Sequence, residues 1–318
     1  GIKNLLKKID GMFAIVIYDI IKNKIYLIRD RVGIKPLYYA LLNDGCVIFG
    51  SELKVLKAHP SLDRVLDHSA IEDYLTFGYV PDPKCIYASV KKLEAGHYLL
   101  FEQGHVQTIP QSVQYWDLPW DLPLHEEVDN KVLIERFREA VDIRLESEVP
   151  LGAFLSGGVD SSAVVAMMAG LKREPVTTCS IGFDVPEYNE SDFAAMVAER
   201  YQTSHFTEVV NHEDFDLIDK MTDLYDEPFA DSSALPTYKV CELAKKHVTV
   251  SLSGDGGDEL FAGYRRYRLH VNEQKVRDAI PAWIRQYVFG FLGKVYQKLD
   301  WAPQFLRAKT TLQSLSLS

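Results

Sequence analysis

Residues 154–162 read FLSGGVDSS and join two apolar stretches of different kinds. The upstream segment VPLGAFL is short and strand-like. The downstream segment AVVAMMAGL is apolar and helical in character. A strand that turns into a helix through such small residues exposes unpaired backbone N–H groups and the positive end of the helix dipole, which together suit an anion. Gly157 and Gly158 let the backbone come close to a ligand, and Ser156, Ser161 and Ser162 add hydroxyls. Asp160 would by itself repel a phosphate. It is accounted for if it holds Mg²⁺, a hard ion that takes oxygen ligands and bridges phosphates. A Ser/Gly turn with an aspartate cap explains SGG alone equally well. The whole string, set between strand and helix, favours a phosphate loop. No GxxxxGK[ST] run occurs, so a Walker A loop and γ-phosphate transfer of the kinase type are not indicated.

The surroundings extend this reading to a sheet. From Lys131 onward, a helix (VLIERFREAVDIRLES) leads to the strand LGAFL and the loop. A helix, the strand VTTCSIGF, the helix SDFAAMVAERY and the strand HFTEVV follow, then helical segments and the strand VTVSLSG. Alternating strands and helices predict a doubly wound α/β domain with a parallel sheet and its site at the strand C-termini. One such terminus carries a second glycine-rich loop, SLSGDGGDELFAGYRRY (residues 251–267), with Asp255, Asp258 and Glu259 among its glycines. Alone it reads as an acidic capped turn; paired with the first loop across one sheet it reads as part of a site.

The first 115 residues are strand-rich. GMFAIVIYD and IYLIRD flank an IKNK turn, PLYYALL and CVIFGS form a hairpin over NDG, and HYLLFEQGHVQTI predicts a last hairpin. SELKVLKAHP and LDHSAIEDYLTFGYVP are helices, the first stopped by Pro60 and the second by Gly78 and Pro81. Arg29, Asp30 and Arg31 read as structural salt bridges near a domain interface. Residues 116–130, rich in Pro, Trp and Asp, form the predicted linker to a second domain over 131–318.

A net charge of −10 argues against general nucleic-acid or anionic-membrane binding. No apolar run is long enough to span a bilayer, and the basic start before GMFAI lacks a signal-peptide cleavage site. Cys46, Cys85, Cys179 and Cys241 are scattered and form no CxxC, which suits a reduced, cytoplasmic protein.

SGGVDSS resembles the pyrophosphate loop of the N-type ATP pyrophosphatases. Together with SGDGGDELFAGY, the chain resembles the glutamine-dependent asparagine synthetases of the bacterial type. DGMFAIVIYD, RDRVGIKPLYY, FGSELKVLKAHP and LTFGYVPDP with LEAGHYL resemble the later part of that family's αββα, Ntn-type glutaminase domain. The resemblance implies a fragment that begins inside the glutaminase domain, because the family's N-terminal cysteine nucleophile and glutamine pocket lie upstream of such a start. It implies a synthetase domain that continues further, with a late lysine for which no residue here stands.

The resemblance also implies a carbon–nitrogen ligase with ATP, Mg²⁺, glutamine or ammonia, and aspartate or another carboxylic acid as its small-molecule partners, compatible with a homodimer. Leu155, Ser156, Gly157, Gly158, Val159, Asp160, Ser161, Ser162, Ile181, Ser253 and Gly254 would bind ATP and its pyrophosphate. Asp160 and Asp258 would hold the metal, and Asp255, where many members have Glu, would deprotonate ammonium. The better-studied asparagine synthetases carry threonines and an arginine facing the acceptor aspartate where this chain has DEPFADSSALPTY, with Ser232 at the arginine's place. Asp226, Glu227 and Asp231 would then repel a carboxylate unless a cation such as Arg265 or Arg266 compensates. Two readings stand beside aspartate amidation: adenylation of a different acid, as in β-lactam synthetases, and a non-catalytic binding module.

Overall fold

The alternating strands of the first half and the strand–helix repeats of the second both form, in a computed structural model that describes residues 1–102, 108–119, 129–185, 189–210, 217–297 and 309–316. In chain order, the first part contains α1 (Ile2–Lys8), β1 (Ala14–Asp19), β2 (Lys24–Arg29), β3 (Tyr38–Leu41) and β4 (Val47–Gly50). These are followed by α2 (Leu53–Lys57), α3 (His68–Phe77), β5 (Val90–Lys92), β6 (His97–Glu102) and β7 (Val113–Gln114). They make two antiparallel sheets, ordered β1-β2-β6-β7 and β4-β3-β5.

The period of two along each strand sorts its side chains between layers. Leu27, Tyr39, Leu99 and Phe101 meet, with Leu37 and Leu93, in one core fed by both sheets. Their strand neighbours point the other way. Ile28 and Tyr98 pack with Leu6 of α1, whereas Tyr38, Ala40 and Val90 pack with Leu53 and Leu56 of α2. Helix, sheet, sheet and helix therefore stack in the expected αββα order. Leu27, Leu53 and Leu99 are fully buried, and burying each such side chain is worth about 1.5–3 kcal/mol.

Between β2 and β3 the chain is tied by charge. Arg29 donates to Lys35 O (3.0 Å), Gly33 O (2.8 Å) and Leu93 O (2.5 Å), and pairs with Asp82 at 2.5 Å. Arg31 pairs with Asp10 at 3.6 Å. Asp30 differs from the salt-bridge expectation. Fully buried, it accepts the backbone N–H groups of Phe13, Ile34 and Lys35.

Helix α1 was not anticipated; its Leu6 is buried, but seven residues are too few to announce a period. The predicted last hairpin is different in detail. Besides β2, β6 pairs with β7, in the register His97↔Gln114, and residues 103–107 of the expected turn lie outside the described residues. Most of the predicted linker, 120–128, lies outside them too.

The second part contains α4 (Asn130–Asp142), β8 (Leu151–Phe154), α5 (Val159–Leu171), β9 (Thr177–Phe183), α6 (Ser191–Tyr201) and β10 (Ser204–Val210). It continues with α7 (Ile218–Leu224), α8 (Ala234–Ala244), β11 (Val250–Leu252), α9 (Gly257–Phe261) and α10 (Arg265–Ala279). Helix α4 stops short of the predicted end, because Arg144 and Leu145 close i→i−3 bonds to Val141 and Asp142. The sheet order is β10-β9-β8-β11, with β8 parallel to both β9 and β11. The first strand thus lies between the second and the last, and the connections diverge at the β8/β11 junction. Ligands of open α/β sheets bind at the carboxyl ends of the strands at such a switch point.

The chain forms two compact units. One comprises residues 1–138, 181–189 and 208–243; the other comprises 139–180, 190–207 and 244–318. The segment from α7 into α8 therefore belongs to the same unit as the two antiparallel sheets. Among the described residues, no helix is long and apolar enough to cross a membrane.

Candidate functional site

Both glycine-rich loops leave the C-terminal ends of adjacent parallel strands, β8 and β11. The first is anchored by buried Leu155, whose N–H donates to Cys179 O of β9 (2.9 Å). Gly157 has φ +83, and a Cβ there would lie 2.5 Å from Phe193 Cβ and 2.7 Å from Ala194 N. Neither the dihedral nor the space admits a side chain. Helix α5 opens at Gly158 with no side-chain cap, and Val159 is 85% exposed at the crest of the loop. An apolar residue on show and an uncapped helix start leave the first-turn N–H groups available to an anion.

The serines divide into different jobs. Ser161 is buried and closes the loop on itself: its Oγ donates to Gly158 O (3.2 Å) and accepts from Ser156 N (3.3 Å). Ser156 Oγ lies 3.0 Å from Ser161 Oγ. Ser162 Oγ is buried and has no hydrogen-bond partner. Buried hydroxyls are rarely left unpaired, so this one is the orphan that a ligand oxygen would satisfy.

The second loop presses on the first. A Cβ on Gly254 would lie 2.6 Å from Ser161 N and 2.9 Å from Asp160 Cβ, and one on Gly257 would lie 2.5 Å from Asp160 Cγ. The Asp160 carboxylate therefore rests against the backbone of Gly257, next in sequence to Asp258. Asp258 packs against Gly263, whose N–H donates to Asp258 O (3.1 Å). Ser253 Oγ donates to the exposed Asp255 carboxylate (3.0 Å). Ile181 sits in β9, two residues past Cys179, half-buried. Among the described residues no group of three or more His, Cys, Asp or Glu forms a metal cluster. Two carboxylates from neighbouring loops suit Mg²⁺, which commonly takes one or two protein carboxylates and fills its shell with phosphate oxygens and water.

Beyond α9, Tyr264 donates to Glu259 Oε1 (2.6 Å), and the Arg266 guanidinium lies over the rings of Tyr264 (4.3 Å) and Tyr267 (5.7 Å). The phenol's hydrogen bond holds Glu259 below the usual carboxylate range, and the same bond pushes Tyr264 up to about 12. The bond's contribution is present above the ordinary Glu value and is lost as pH falls through the lowered one. At the alkaline end it is present below the ordinary Tyr value and lost as pH rises through about 12. A Tyr264→Phe variant is expected to return the Glu259 titration upward to the ordinary range in carboxyl-detected NMR. No movement of Glu259 would show that the pair does not persist in solution.

These loops and the sheet that carries them coincide with a known family. The asparagine synthase profile matches residues 133–317, and a glutamine amidotransferase domain profile matches residues 1–116. The chain belongs to the asparagine synthase family. A putative glutamine-hydrolyzing asparagine synthetase 2 of Methanocaldococcus jannaschii is 42% identical over 267 residues, covering 81% of this chain and 50% of that protein. The glutamine-hydrolyzing asparagine synthetase 1 of Bacillus subtilis is 37% identical over 311 residues, covering 96% of this chain and 46% of its own. A putative glutamine-hydrolyzing asparagine synthetase of Mycobacterium bovis is 32% identical over 323 residues, covering 99% and 48%. The chain thus spans about half the length of the curated relatives it matches.

Within this asparagine synthase family member, the segment DEPFADSSALPTY corrects an expectation. Asp226 and Glu227 border a cavity but are not free acids, because both carboxylates are engaged within the protein. Asp226 accepts Leu53 N (2.7 Å) and Lys54 N (3.1 Å), and Glu227 pairs with Lys92 Nζ (2.8 Å). Asp231 is exposed and accepts Ser233 N (2.8 Å), which holds its carboxyl below the usual range. The compensating cation for Glu227 is therefore Lys92, 135 positions upstream, not Arg265 or Arg266. The same segment lines a cavity of about 690 Å³ with Tyr74, Tyr87, Tyr225, Phe229 and Ser232. Nothing local in DEPF signals these partners; only Lys92, which shares the inward face of β5 with Val90, hints at a buried acid elsewhere.

Proposed function

We propose that this chain is part of an enzyme that amidates a carboxylic acid, aspartate first among candidates, using ATP and nitrogen from glutamine. One observation carries the reading: two glycine-rich acidic loops meet at Asp160 where β8 and β11 end, beside an uncapped helix start and an orphaned Ser162 hydroxyl. The names of the relatives, glutamine-hydrolyzing asparagine synthetases, support it.

In the proposed reaction an acceptor carboxylate oxygen bonds to the α-phosphorus of ATP as the bond to the β-phosphate bridge breaks and pyrophosphate leaves. Ammonia nitrogen then bonds to the acyl carbon, the acyl–phosphate bond breaks, and AMP departs. The backbone of Gly157 to Ser161 and the Ser162 hydroxyl receive the pyrophosphate, which is stabilised by donors already in place. Leu155 and Ile181 border the adenine, while Ser253 and Gly254 touch the nucleotide. Asp160 and Asp258 would hold Mg²⁺, which supplies neutralisation of the leaving charge. Asp255 takes the proton that the ammonia nitrogen sheds once it has bonded to the acyl carbon, and its bond from Ser253 keeps that carboxylate oriented. Ser161, occupied within the loop, shapes the site instead of reaching the ligand.

A second reading concerns the acceptor. Ser232 offers no cation itself, and the cavity beside it, bordered by Tyr74, Tyr87, Tyr225 and Phe229 with Lys57 as a cation on its rim, has room for an acid bulkier than aspartate. The full-length protein, given ammonia, ATP and Mg²⁺, is expected to make asparagine from aspartate. Little asparagine but AMP formation with a larger acid would select the second reading. No AMP formation with any acid would overturn both.

A further inference from the structure

Two consecutive acids, Asp226 and Glu227, reach elements more than a hundred residues upstream in the same compact unit. Asp226 supplies the cap that α2 lacks. The helix's own N-cap residue, Glu52, makes no side-chain capping bond and pairs instead with Lys54 (3.1 Å), whereas both Asp226 oxygens accept N–H groups of the first turn. Glu227 is nearly buried, with 10% of its side chain exposed against 9% for Lys92. Its Oε1 accepts Ile86 N (2.7 Å), and its Oε2 accepts Lys92 Nζ (2.8 Å) and Tyr38 OH (3.3 Å). Lys92 Nζ also donates to Val80 O (2.5 Å). The Tyr38 phenol stands above its ordinary value, chiefly through burial and then through the charge of Glu227. A further bond, Ala230 N to Gly78 O (2.8 Å), follows three residues on.

Each of the four carboxylate oxygens of this acid pair thus accepts at least one bond, from β3, β5, α2 or the strand-like turn at Ile86. The residues that follow, Pro228 to Leu235, form a wall of the aromatic cavity. We propose that Asp226 and Glu227 are positioning residues: they fix that wall, with Ser232 on it, in register with the amidotransferase-domain residues Tyr38, Leu53, Ile86 and Lys92. The inference rests on the reading above that this segment faces the acceptor. The geometry of that wall is then set by the N-terminal sheets, within the same compact unit. A buried ion pair is poor as a source of stability but strict about geometry, because either charge left alone is costly.

The test has two arms. In the 318-residue chain, hydrogen exchange is compared between wild type and Glu227→Gln. The amides of Ile86 and of 229–235 should exchange at least about tenfold faster, with those of α5 unchanged, as for a local opening. In the full-length protein, Glu227→Gln should raise the aspartate KM about tenfold and leave the ATP KM within about twofold, the pattern of a lost binding contact. Glu227→Leu alone strands a charged Lys92 and is liable to unfold, so Lys92→Met/Glu227→Leu removes both charges together. This double variant should recover thermal stability but keep the raised aspartate KM, because Ile86 N and Tyr38 OH still lack their acceptor. Recovery of KM along with stability would reduce the pair to a purely structural role and overturn the proposal. So would uniform acceleration of exchange across both units, or none. If wild type amidates no aspartate, the acceptor reading fails, and the exchange arm decides the positioning role by itself.

Discussion

Replacing Asp160 by Asn in the full-length protein is expected to abolish ATP–pyrophosphate exchange while leaving the fold intact. The substitution keeps size and hydrogen-bonding capacity and removes one negative charge. If Asp160 served only the helix, the loss would be that of a carboxylate near an N-terminus, about 0.3–1 kcal/mol of stability, and exchange would continue. If it holds Mg²⁺ against the departing pyrophosphate, the loss falls on the step in which charge builds up. Metal neutralisation there is worth several kcal/mol, so the rate should drop on the order of a thousandfold. The structure sharpens the contrast: the carboxylate lies against Gly257, among backbone atoms that exclude any bulk from that face. Far-UV circular dichroism and thermal unfolding report the fold; exchange of labelled pyrophosphate reports the chemistry. Exchange near the wild-type rate would sink the metal assignment.

The two halves of this prediction were readable to different degrees. The loops could be found because their chemistry is local. An anion needs N–H groups and small residues at a strand end, and SGGVDSS and SGDGGDE write those needs in consecutive letters. The parallel sheet was readable for a similar reason, since LGAFL and VTTCSIGF are apolar runs of strand length separated by a helix. In the first half the strands were legible as apolar, aromatic and β-branched runs, but the αββα layering came only with the resemblance to the glutaminase domain; in the structure Leu27 and Ile28, like Tyr38 and Tyr39, face different cores. What stayed hidden is pairing at long range. Glu227 meets Ile86 and Lys92 across 141 and 135 positions, and a glutamate in a loop reads as solvated until its partners are known. For the same reason Asp30 looked like a salt-bridge partner beside two arginines, whereas three backbone amides claim it. The division of labour among Ser156, Ser161 and Ser162 was equally invisible, because it depends on which hydroxyl the loop's own curvature turns inward.

The contact between the loops yields a graded expectation at three glycines of one segment. At Gly256, φ is +91 and a Cβ would meet nothing within 4 Å. Alanine there costs only backbone strain, roughly 1–2 kcal/mol for a left-handed residue, and exchange activity should persist. At Gly254 the obstacle is backbone: Ser161 N at 2.6 Å and the Asp160 carbonyl carbon at 2.9 Å cannot swing away. Alanine must part the loops, costing about 1–3 kcal/mol as overpacking does and removing activity with it. Gly257 is the discriminating case. A Cβ there would sit 2.5 Å from Asp160 Cγ and 2.7 and 2.8 Å from its oxygens, and those atoms end a side chain that can rotate. Gly257→Ala should therefore fold with nearly wild-type stability yet lose ATP–pyrophosphate exchange almost as completely as Asp160→Asn, because the carboxylate is pushed from its place without being removed. Thermal unfolding and exchange measured on the three variants separate the cases. If Gly257→Ala retains exchange while Asp160→Asn loses it, the carboxylate acts from an orientation other than the one turned to Gly257. If all three behave alike, the loops do not meet at Asp160 in the working enzyme.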